Sequence, residues 1–422
     1  MHLGKVEAID KLTVLQVGTL NKAIRPDQGY CPIETVIYNL DKGLVSAGHR
    51  SIVACSADSQ TVGERYVTVR RSFGSYCRED CQGWEELLQR HLASTLKRAL
   101  GGDIDIVHMH EWVHHVYDGV FNPPLPIVVT LHVPATQSGL DEVYENWKRS
   151  ESQPSVYFIA ISEYQEREYS TLVNIYRVIH HGVDVKTFPV STTSIGNSYL
   201  FMIGRITRVK GQDKAIELAR KSGSKLFIAG CVQNKMEDKA FFESLRGSID
   251  LMVDVSKFDV GKNYYNSVIK PLVDCDKQVI FIGELDRPQK NQWYQHARAT
   301  LLPIQWAEPF GLVAIESMAC GTPILAMKKG ALPEIVVDGE TGFLVDSLEG
   351  MVASLERLDT IDRHACHRHT EQNFSIARMV QDYIDVYRQV VEEHQFKPRP
   401  LEPSSIPIPI KELPVRELPV LR

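Results

Sequence analysis

The sequence predicts an α/β protein built from two doubly wound domains with parallel sheets. Its 422 residues are enough for two domains of this kind. In each half, short apolar runs of strand length alternate with stretches of helical periodicity, and the first run ends in a glycine-bearing loop. This succession of strand, loop, helix and strand is typical of α/β folds that handle nucleotides.

The first half contains five apolar runs that predict buried strands. They cover residues 12–17, 51–55, 103–108, 127–131 and 156–162. Helical periodicity covers 34–47 and 83–100, where apolar residues share one face. No G-x-G-x-x-G follows the first strand, so the sequence does not support a dinucleotide site. A proline-containing, Ser/Thr-rich stretch at 186–197 predicts a linker between domains.

The second half repeats the alternation. Predicted strands cover 199–203, 225–230, 279–283 and 300–303, and predicted helices cover 264–272, 288–297, 311–319, 348–358, 362–370 and 375–395. The stretch 231–261 is variable, and we interpret 248–259 within it as an insertion. From residue 396 the composition becomes proline-rich, which predicts a disordered tail.

Composition narrows the class of protein. Hydrophobic residues make up 43% and charged residues 24% of the chain, and the formal net charge is −6, so neither nucleic acid nor an anionic membrane is an expected partner. The eight cysteines are scattered apart from Cys77 and Cys81, whose spacing matches no zinc pair. We expect free thiols in a cytoplasmic protein. No run has the length of a membrane span, and the first residues lack the apolar core of a signal peptide.

The stretch 307–344 holds the candidate chemistry. A helix is predicted from Gly311 to Ala319, with Glu308 in the loop before it and Glu316 about two turns along it. The backbone N–H groups left free at its start are those of Gly311, Leu312 and Val313. A helix start of this kind binds anions. Phosphates there, with carboxylates nearby to accept from hydroxyls, would suit a nucleotide sugar.

A plainer interpretation is open for the two glutamates, namely a capping carboxylate and a solvated side chain. The residues around the two glutamates favour the nucleotide-sugar interpretation. Together they complete the pattern E-x-F-G-x-x-x-x-E-x-x-A-x-G-x-P. A G-x-x-E step with one extra spacer and then G-x-T-G-x-L follow it. The matching residues are Glu308, Phe310, Gly311, Glu316, Ala319, Gly321, Pro323, Gly330, Glu334, Gly339, Thr341, Gly342 and Leu344. On these residues the chain resembles the retaining glycosyltransferases of family 4, whose fold, GT-B, has two facing Rossmann-like domains. The resemblance covers about 12–395.

The resemblance implies a donor site that needs no metal. Arg205 and Lys210 fill the family's G-R-x-x-x-x-K-G element, and a guanidinium fork with a mobile ammonium suits a diphosphate leaving group. The alternative is two solvated cations flanking a helix start, where cations are mildly unfavourable. Glu308 is implied to hold sugar hydroxyls and Glu316 the ribose diol. The predicted donor-binding residues are Gly29, Arg205, Lys210, Glu308, Phe310, Gly311, Leu312, Val313 and Glu316.

Two histidines are implied to act on the other side of the cleft. Family members carry a histidine at the position of His132 that reaches the transferred sugar, and His110 resembles their acceptor-side loop. Together with Arg205, Lys210 and Glu308, His132 forms the predicted catalytic set. The histidines at 108, 110, 114 and 115 suggest a metal at first sight, but their mixed strand and loop spacing gives no single ligand face.

Two elements depart from the family pattern. The usual G-G-x-E entry to the first helix is longer here and runs from Gly29 to Glu34, so its second glycine is missing. The asparagine of the N-G-V-D element is replaced by His181. These departures leave open how closely the backbone of the first domain approaches a phosphate.

The resemblance implies four segments and one activity. They are a first, acceptor-side domain at 1–187, a second, nucleotide-sugar domain at 198–372, a final helix at 373–395 that crosses back, and the tail at 396–422. The expected activity is retaining transfer of a hexosyl unit, with a UDP-linked donor, to a soluble small-molecule or saccharide acceptor, with weak membrane association at most. The alternatives are a non-catalytic sugar-nucleotide-binding protein and a glycosidic phosphorylase or epimerase.

Overall fold

Two parallel sheets form the framework of the protein. The computed structural model describes residues 11–27, 29–75, 80–111, 123–137, 156–188, 190 and 199–396. Within these residues each sheet has seven strands, and every pair of neighbouring strands is parallel. The predicted fold class, two facing Rossmann-like domains, is confirmed.

The strands of the two sheets follow one another in sequence. The first sheet contains β1 Thr13–Val17, β2 Arg50–Ser56, β3 Glu64–Val69, β4 Ile106–Met109, β5 Ile127–Thr130, β6 Val156–Ala160 and β7 Ile175–Val178. The second contains β8 Tyr199–Ile203, β9 Lys225–Ala229, β10 Leu251–Met252, β11 Val279–Phe281, β12 Ala299–Leu302, β13 Ile324–Met327 and β14 Gly342–Val345. The spatial orders are β3-β2-β1-β4-β5-β6-β7 and β10-β11-β9-β8-β12-β13-β14.

Each sheet has one point where the strand order reverses. It lies between β1 and β4 in the first sheet and between β8 and β12 in the second. In doubly wound sheets ligands bind outside the carboxyl ends of the strands at such a point. The loops that follow these central strands are therefore where a site is expected.

Helices cover the sheets, so the central strands are buried on both faces. The helices of the described residues are α1 Pro32–Ser46, α2 Trp84–Ala99, α3 Glu163–Tyr169, α4 Gln212–Ser222, α5 Met236–Leu245, α6 Lys270–Asp274, α7 Arg287–His296, α8 Leu312–Ala319, α9 Leu332–Ile335, α10 Leu348–Ser354, α11 Arg363–Asn373 and α12 Ile376–Phe396. None of them is both long enough and apolar enough to cross a membrane.

The last helix packs on the first domain. Although α12 follows the second sheet in sequence, its buried face packs with side chains of α1 and β1 in one apolar cluster. That face includes Met379, Tyr383, Tyr387 and Val390, all 0% exposed. Their spacing of three or four residues places them on one side of the helix. The end of the described chain thus packs on the first sheet.

Several elements of both domains differ from the prediction. Within the stretch 248–259, interpreted from the sequence as an insertion, Leu251 and Met252 form β10 and pair with Ile280 and Phe281 at the sheet edge. This strand has only one neighbour and two residues, so its apolar run is too short to stand out. Strands β3, β7, β13 and β14 and helices α3, α5 and α9 were not predicted. The predicted tail, apart from its first residue, lies outside the described residues.

Candidate active site

The predicted donor-site and acceptor-side residues lie on the facing carboxyl edges of the two sheets. His110 and His132 come after β4 and β5 of the first sheet, and Arg205 and Glu308 come after β8 and β12 of the second. These strands are central in their sheets, so the four residues lie near the points where the strand order reverses. The first edge carries imidazole rings, whereas the second carries charged side chains.

On the second domain, Glu308 and Lys210 form a close ion pair. Lys210 Nζ donates to Glu308 Oε2 at 2.6 Å, and the indole Nε1 of Trp306 donates to the same oxygen at 2.8 Å. The ammonium also lies 4.9 Å from the centre of the Trp306 ring, within range of a cation–π contact. Glu308 keeps its second oxygen, Oε1, for another donor, such as a sugar hydroxyl. Trp306 was not predicted, because it falls between the motif positions.

Arg205 follows β8 at the same edge of the second sheet. One terminal nitrogen, NH1, donates to Gln233 Oε1 at 3.0 Å, and Nε is buried without a hydrogen-bond partner among the described residues. The backbone is fixed separately, since Gln212 Nε2 donates to the Arg205 carbonyl at 2.9 Å. A buried guanidinium nitrogen without a partner is costly. An anion in the cleft would relieve that cost.

Helix α8 starts at the same edge. Gly311 precedes it with a φ of 110°, a left-handed conformation that disfavours side chains. No described side chain caps the helix, so Glu308 is not a capping carboxylate. The first-turn N–H groups of Leu312 and Val313 lack helical partners, as in any α-helix. The helix start therefore offers donors beside the Lys210–Glu308 pair.

Glu316 is buried and paired rather than solvated. Only 8% of its surface is exposed. Lys290 Nζ on α7 donates to its Oε1 at 2.9 Å and to its Oε2 at 3.0 Å, and the Tyr294 hydroxyl donates to Oε2 at 3.1 Å. Burial, and then the charge of Glu316, raises the pKa of Tyr294 far above its ordinary value, so the phenol remains a donor. Neither Lys290 nor Tyr294 carries a motif that could have identified it.

On the first domain, four imidazole rings form a continuous stack. The ring centres of His108 and His110 are 4.1 Å apart, those of His110 and His132 5.4 Å, and those of His132 and His181 5.3 Å. Nδ1 of His110 and Nε2 of His132 share a hydrogen bond at 3.1 Å. The stack then meets the second domain, since His181 contacts the Phe310 ring edge-on at 5.1 Å.

The inner end of this histidine stack rests on α12. Nδ1 of His108 bonds to the Tyr387 hydroxyl at 2.6 Å, and its Nε2 bonds to the Thr130 hydroxyl at 2.8 Å. The Thr130 hydroxyl in turn bonds to that of Tyr383 at 2.8 Å. The stack is therefore supported by a hydrogen-bonded network that joins β4 and β5 to α12.

The histidines of the stack are uncharged at neutral pH. Burial lowers the pKa of His132 to about 3. Burial, and then the charges of the neighbouring histidines, lowers the pKa values of His108, His110 and His181 well below their ordinary value. Nε2 of His110 and Nδ1 of His181 are buried without a partner among the described residues. A neutral imidazole can donate or accept one hydrogen bond at each nitrogen, which suits hydroxyl groups.

The predicted glycine loop reaches across to the second domain. The backbone N–H of Tyr30 donates to Glu284 Oε1 at 2.9 Å, and a Cβ at Gly29 would lie 2.5 Å from the same oxygen. Burial raises the pKa of Tyr30, while the charge of Arg205 acts in the opposite direction. A side chain at residue 29 would therefore displace the Glu284 carboxylate from its present position. Tyr30 and Glu284 were not predicted as site residues.

A cavity adjoins this contact on the second domain. It measures about 520 Å³ and lies at the carboxyl ends of β9, β10 and β11. Its lining includes the side chains of Phe242, Met252, Phe281 and Glu284. The lining combines apolar side chains with two carboxylates, those of Asp254 and Glu284.

Two of the sequence hypotheses fall partly outside the described residues. His114 and His115, from the histidine cluster, and Cys77 are among the residues not described. Within the described residues, no three His, Cys, Asp or Glu side chains come together in a group that could hold a metal ion. The described cysteines, including Cys31, Cys81 and Cys320, are free thiols.

Two facing Rossmann-like domains with a charged cleft between them define a protein of the GT-B class. Two family descriptions match the sequence, Glycosyltransferase Family 4 over residues 33–187 and Glycosyl transferases group 1 over residues 187–360. The chain belongs to this family of glycosyltransferases, which act on a sugar donor.

Individual relatives are more distant. The chain is 28% identical over 272 residues to a D-inositol 3-phosphate glycosyltransferase of Arthrobacter sp. (strain FB24), which covers 58% of this chain and 59% of that relative. The match thus spans about three fifths of the relative's length. Among solved structures, sucrose-phosphate synthase from Thermosynechococcus elongatus has a TM-score of 0.68 at 17% identity, covering 90% of this chain and 100% of that one. Anabaena HepE, solved with UDP and glucose, has a TM-score of 0.62 at 17% identity, covering 89% and 99%.

Proposed function

We propose that the protein transfers a hexosyl unit from a nucleoside-diphosphate sugar to a hydroxyl group of a small polar acceptor, with retention of anomeric configuration. The observation that carries this proposal is the arrangement at the second sheet edge. There Arg205 has a buried, unpartnered Nε, and Lys210 is paired with Glu308. The uncapped start of α8 lies at the same edge. Cations and amides suit a diphosphate, and carboxylates suit hydroxyls.

The cations would lower the barrier to departure of the nucleoside diphosphate. As the bond between the anomeric carbon and the phosphate oxygen breaks, negative charge grows on the phosphate. Lys210 and Arg205 are already placed in a largely buried site, where such stabilisation costs little reorganisation. Glu308 would orient Lys210 through its Oε2 and accept a sugar hydroxyl with its Oε1. Glu316, held by Lys290 and Tyr294, would accept from the ribose diol.

Retention follows if the acceptor attacks from the face that the diphosphate leaves. The new bond forms between the acceptor oxygen and the anomeric carbon, and the acceptor's proton passes to the departing phosphate oxygen. The neutral histidines support this route, because burial makes His132, with a pKa of about 3, a weak base at neutral pH. In this mechanism His132 orients hydroxyls. Arg205 and Lys210 balance the charge of the departing diphosphate, so this mechanism needs no metal ion.

The donor and acceptor classes rest partly on relatives. HepE is a protein solved with UDP and glucose, and other relatives are named for D-inositol 3-phosphate. We propose a UDP-hexose as donor and a cyclitol or saccharide as acceptor. The histidine stack supports a hydroxyl-rich acceptor, because its nitrogens can pair with hydroxyls in either direction.

The test is a screen of nucleoside-diphosphate hexoses with polyol and saccharide acceptors, in buffer containing EDTA. We expect release of nucleoside diphosphate that depends on the acceptor, and a product whose anomeric proton coupling in NMR matches that of the donor. An inverted product would contradict retention. Loss of turnover in EDTA with recovery on adding Mg²⁺ or Mn²⁺ would contradict the metal-free mechanism. Nucleotide binding without transfer to any acceptor would favour a non-catalytic binding protein.

A further inference from the structure

The loop that carries Glu308 is held by the first domain as well as by its own domain. The hydroxyl of Ser162, in the segment between β6 and α3, donates to the Pro309 carbonyl at 2.7 Å. The same oxygen accepts from the Gln165 backbone N–H at 3.0 Å and so caps α3. One buried hydroxyl therefore joins a helix of the first domain to the residue that follows Glu308.

A second connection runs in the opposite direction. Glu334, on α9 of the second domain, accepts from the backbone N–H groups of Glu163 and Tyr164 at 2.7 and 2.6 Å, using one oxygen for each. His180 Nε2 lies 3.3 Å from Glu334 Oε2. The carboxylate thus satisfies the first two N–H groups of α3, which have no partner within their own helix.

The segment that carries Glu334 is in turn packed on Glu308. The Ala331 backbone N–H donates to the Glu308 carbonyl at 2.8 Å. Gly330 has a φ of 59°, and a side chain there would collide with the Glu308 backbone. Glu308 therefore has little freedom to move without Glu334. The backbone on both sides of the Glu308 carboxylate is tied, directly or through one segment, to helix α3.

From these contacts we infer that Ser162 and Glu334 are positioning residues, which set the place of Glu308 relative to the first domain during sugar transfer. This inference rests on the proposed function. Glu308 lies on the second domain and His132 on the first, so the two can address one sugar only if the domains keep a fixed offset. A misplacement of about 1 Å can cost about a hundredfold in rate. The bonds to α3 limit such a misplacement.

These contacts predict different effects on sugar transfer and on affinity for the nucleoside diphosphate. Neither Ser162 nor Glu334 contacts Arg205, Lys210 or Glu316 through a hydrogen bond or ion pair of the described structure. Loss of either connection should therefore reduce transfer while leaving affinity for the free nucleoside diphosphate nearly unchanged. A residue with a merely structural role would change both or neither.

The test uses Ser162→Ala, Ser162→Thr and Glu334→Gln in the full chain, with two matched controls on α3. Ser170→Ala removes a hydroxyl that follows the last residue of α3 and donates to the Arg167 carbonyl, and Glu163→Gln changes an exposed carboxylate that pairs with Arg167. We expect kcat to fall at least about tenfold in Ser162→Ala and Glu334→Gln, with UDP affinity from calorimetry within about twofold. Ser162→Thr should recover most of the rate, and both controls should match wild type.

A second arm asks whether the effect acts through Glu308. In a Glu308→Gln background, Ser162→Ala should cost less than about twofold, since the carboxylate whose position it sets is gone. An equal loss in both backgrounds, or an equal loss of UDP affinity, would overturn the inference, as would unchanged kcat in both single variants.

A third arm is independent of turnover. Hydrogen exchange of the backbone N–H groups of Glu163 and Tyr164 should be faster in Glu334→Ala than in wild type, and unchanged in Glu163→Gln. Equal protection in wild type and Glu334→Ala would overturn the contact itself. If wild type turned over no donor, the proposed function would fail and the effect on transfer with it, whereas this exchange experiment would still decide whether Glu334 joins the domains.

Discussion

The two sheet edges that face each other across the cleft are both built from the carboxyl ends of parallel strands. They differ in charge, because the first edge carries uncharged histidines and the second carries ionised side chains. The first sheet presents the histidine stack, which burial keeps uncharged. The second presents two buried or half-buried ion pairs, Lys210 with Glu308 and Lys290 with Glu316, and Arg205. The difference suggests a division of work, in which the second edge holds the charged leaving group and the first orients uncharged hydroxyls.

The largest expected effect is the loss of Lys210. Lys210→Met should lower kcat/KM by about 10²–10³-fold, the range found when a group that stabilises transition-state charge is removed. The matched control is Lys214→Met on α4, which begins just after Lys210, because Lys214 forms an exposed pair with Glu217. Steady-state kinetics with a UDP-hexose would check it. Equal rates in the two variants would contradict a role for Lys210 in leaving-group departure.

The second expected effect separates binding from stability at Glu316. Glu316→Gln should weaken UDP binding by about 10–100-fold, as expected for a hydrogen bond to a charged group worth about 1.5–3 kcal/mol. It should also destabilise the fold by about 3 kcal/mol, because Lys290 loses its partner in a buried pair. Adding Lys290→Met should restore the unfolding free energy and not the affinity. Calorimetry measures the UDP affinity, and urea unfolding measures the free energy of unfolding. Restored affinity in the double variant would show that Glu316 acts only through Lys290.

The third effect concerns acid stability of the histidine stack. In the unfolded chain histidines titrate near pH 6.5, whereas burial lowers the pKa of His132 to about 3. The unfolded state therefore binds more protons below about pH 6.5, and stability falls as the pH drops from there. Each such histidine contributes up to about 1.4 kcal/mol per pH unit. Urea unfolding between pH 7.5 and 5 should show this slope, and His181→Asn should reduce it. A flat free energy of unfolding would contradict neutral histidines in the fold.

The smallest expected effect is at Gly29. A Cβ there would lie 2.5 Å from Glu284 Oε1, the end of a flexible side chain, so Glu284 should move and lose its bond to the Tyr30 N–H. One such bond is worth about 0.5–1.5 kcal/mol. Gly29→Ala should therefore raise the donor KM by about two- to tenfold. Gly247→Ala, where a Cβ meets nothing within 4 Å, is the control, and equal KM values in the two variants would contradict a role for this loop.

Sequence reasoning found the local elements because their signals are local. Helix α8 was predicted from the glycines around it, and these adopt left-handed conformations, with φ 110° at Gly311 and 77° at Gly321. Edge strand β10 was missed since two residues with one neighbour leave almost no apolar pattern. The apolar runs located the buried strands but not all of their bounds, since 103–108 and 279–283 were predicted where Ile106–Met109 and Val279–Phe281 form.

The partners of the site residues were not predictable, because they depend on tertiary packing. Lys290 and Glu316 are separated by 26 residues, and His108 and Tyr387 by 279. No sequence spacing signals such contacts. His181 was noted only as a departure from the family's asparagine, and its place in the histidine stack becomes visible only once β4, β5 and β7 are assembled into one sheet.

The division of work between the two edges can be tested by one comparison. UDP is titrated by calorimetry into Arg205→Ala and His132→Ala, and transfer from a UDP-hexose is measured for the same variants. The account predicts that Arg205→Ala loses at least about tenfold in UDP affinity, as expected for a charge-assisted contact. It predicts that His132→Ala binds UDP within about twofold of wild type while transfer falls at least about tenfold. Equal loss of UDP affinity in the two variants would contradict it.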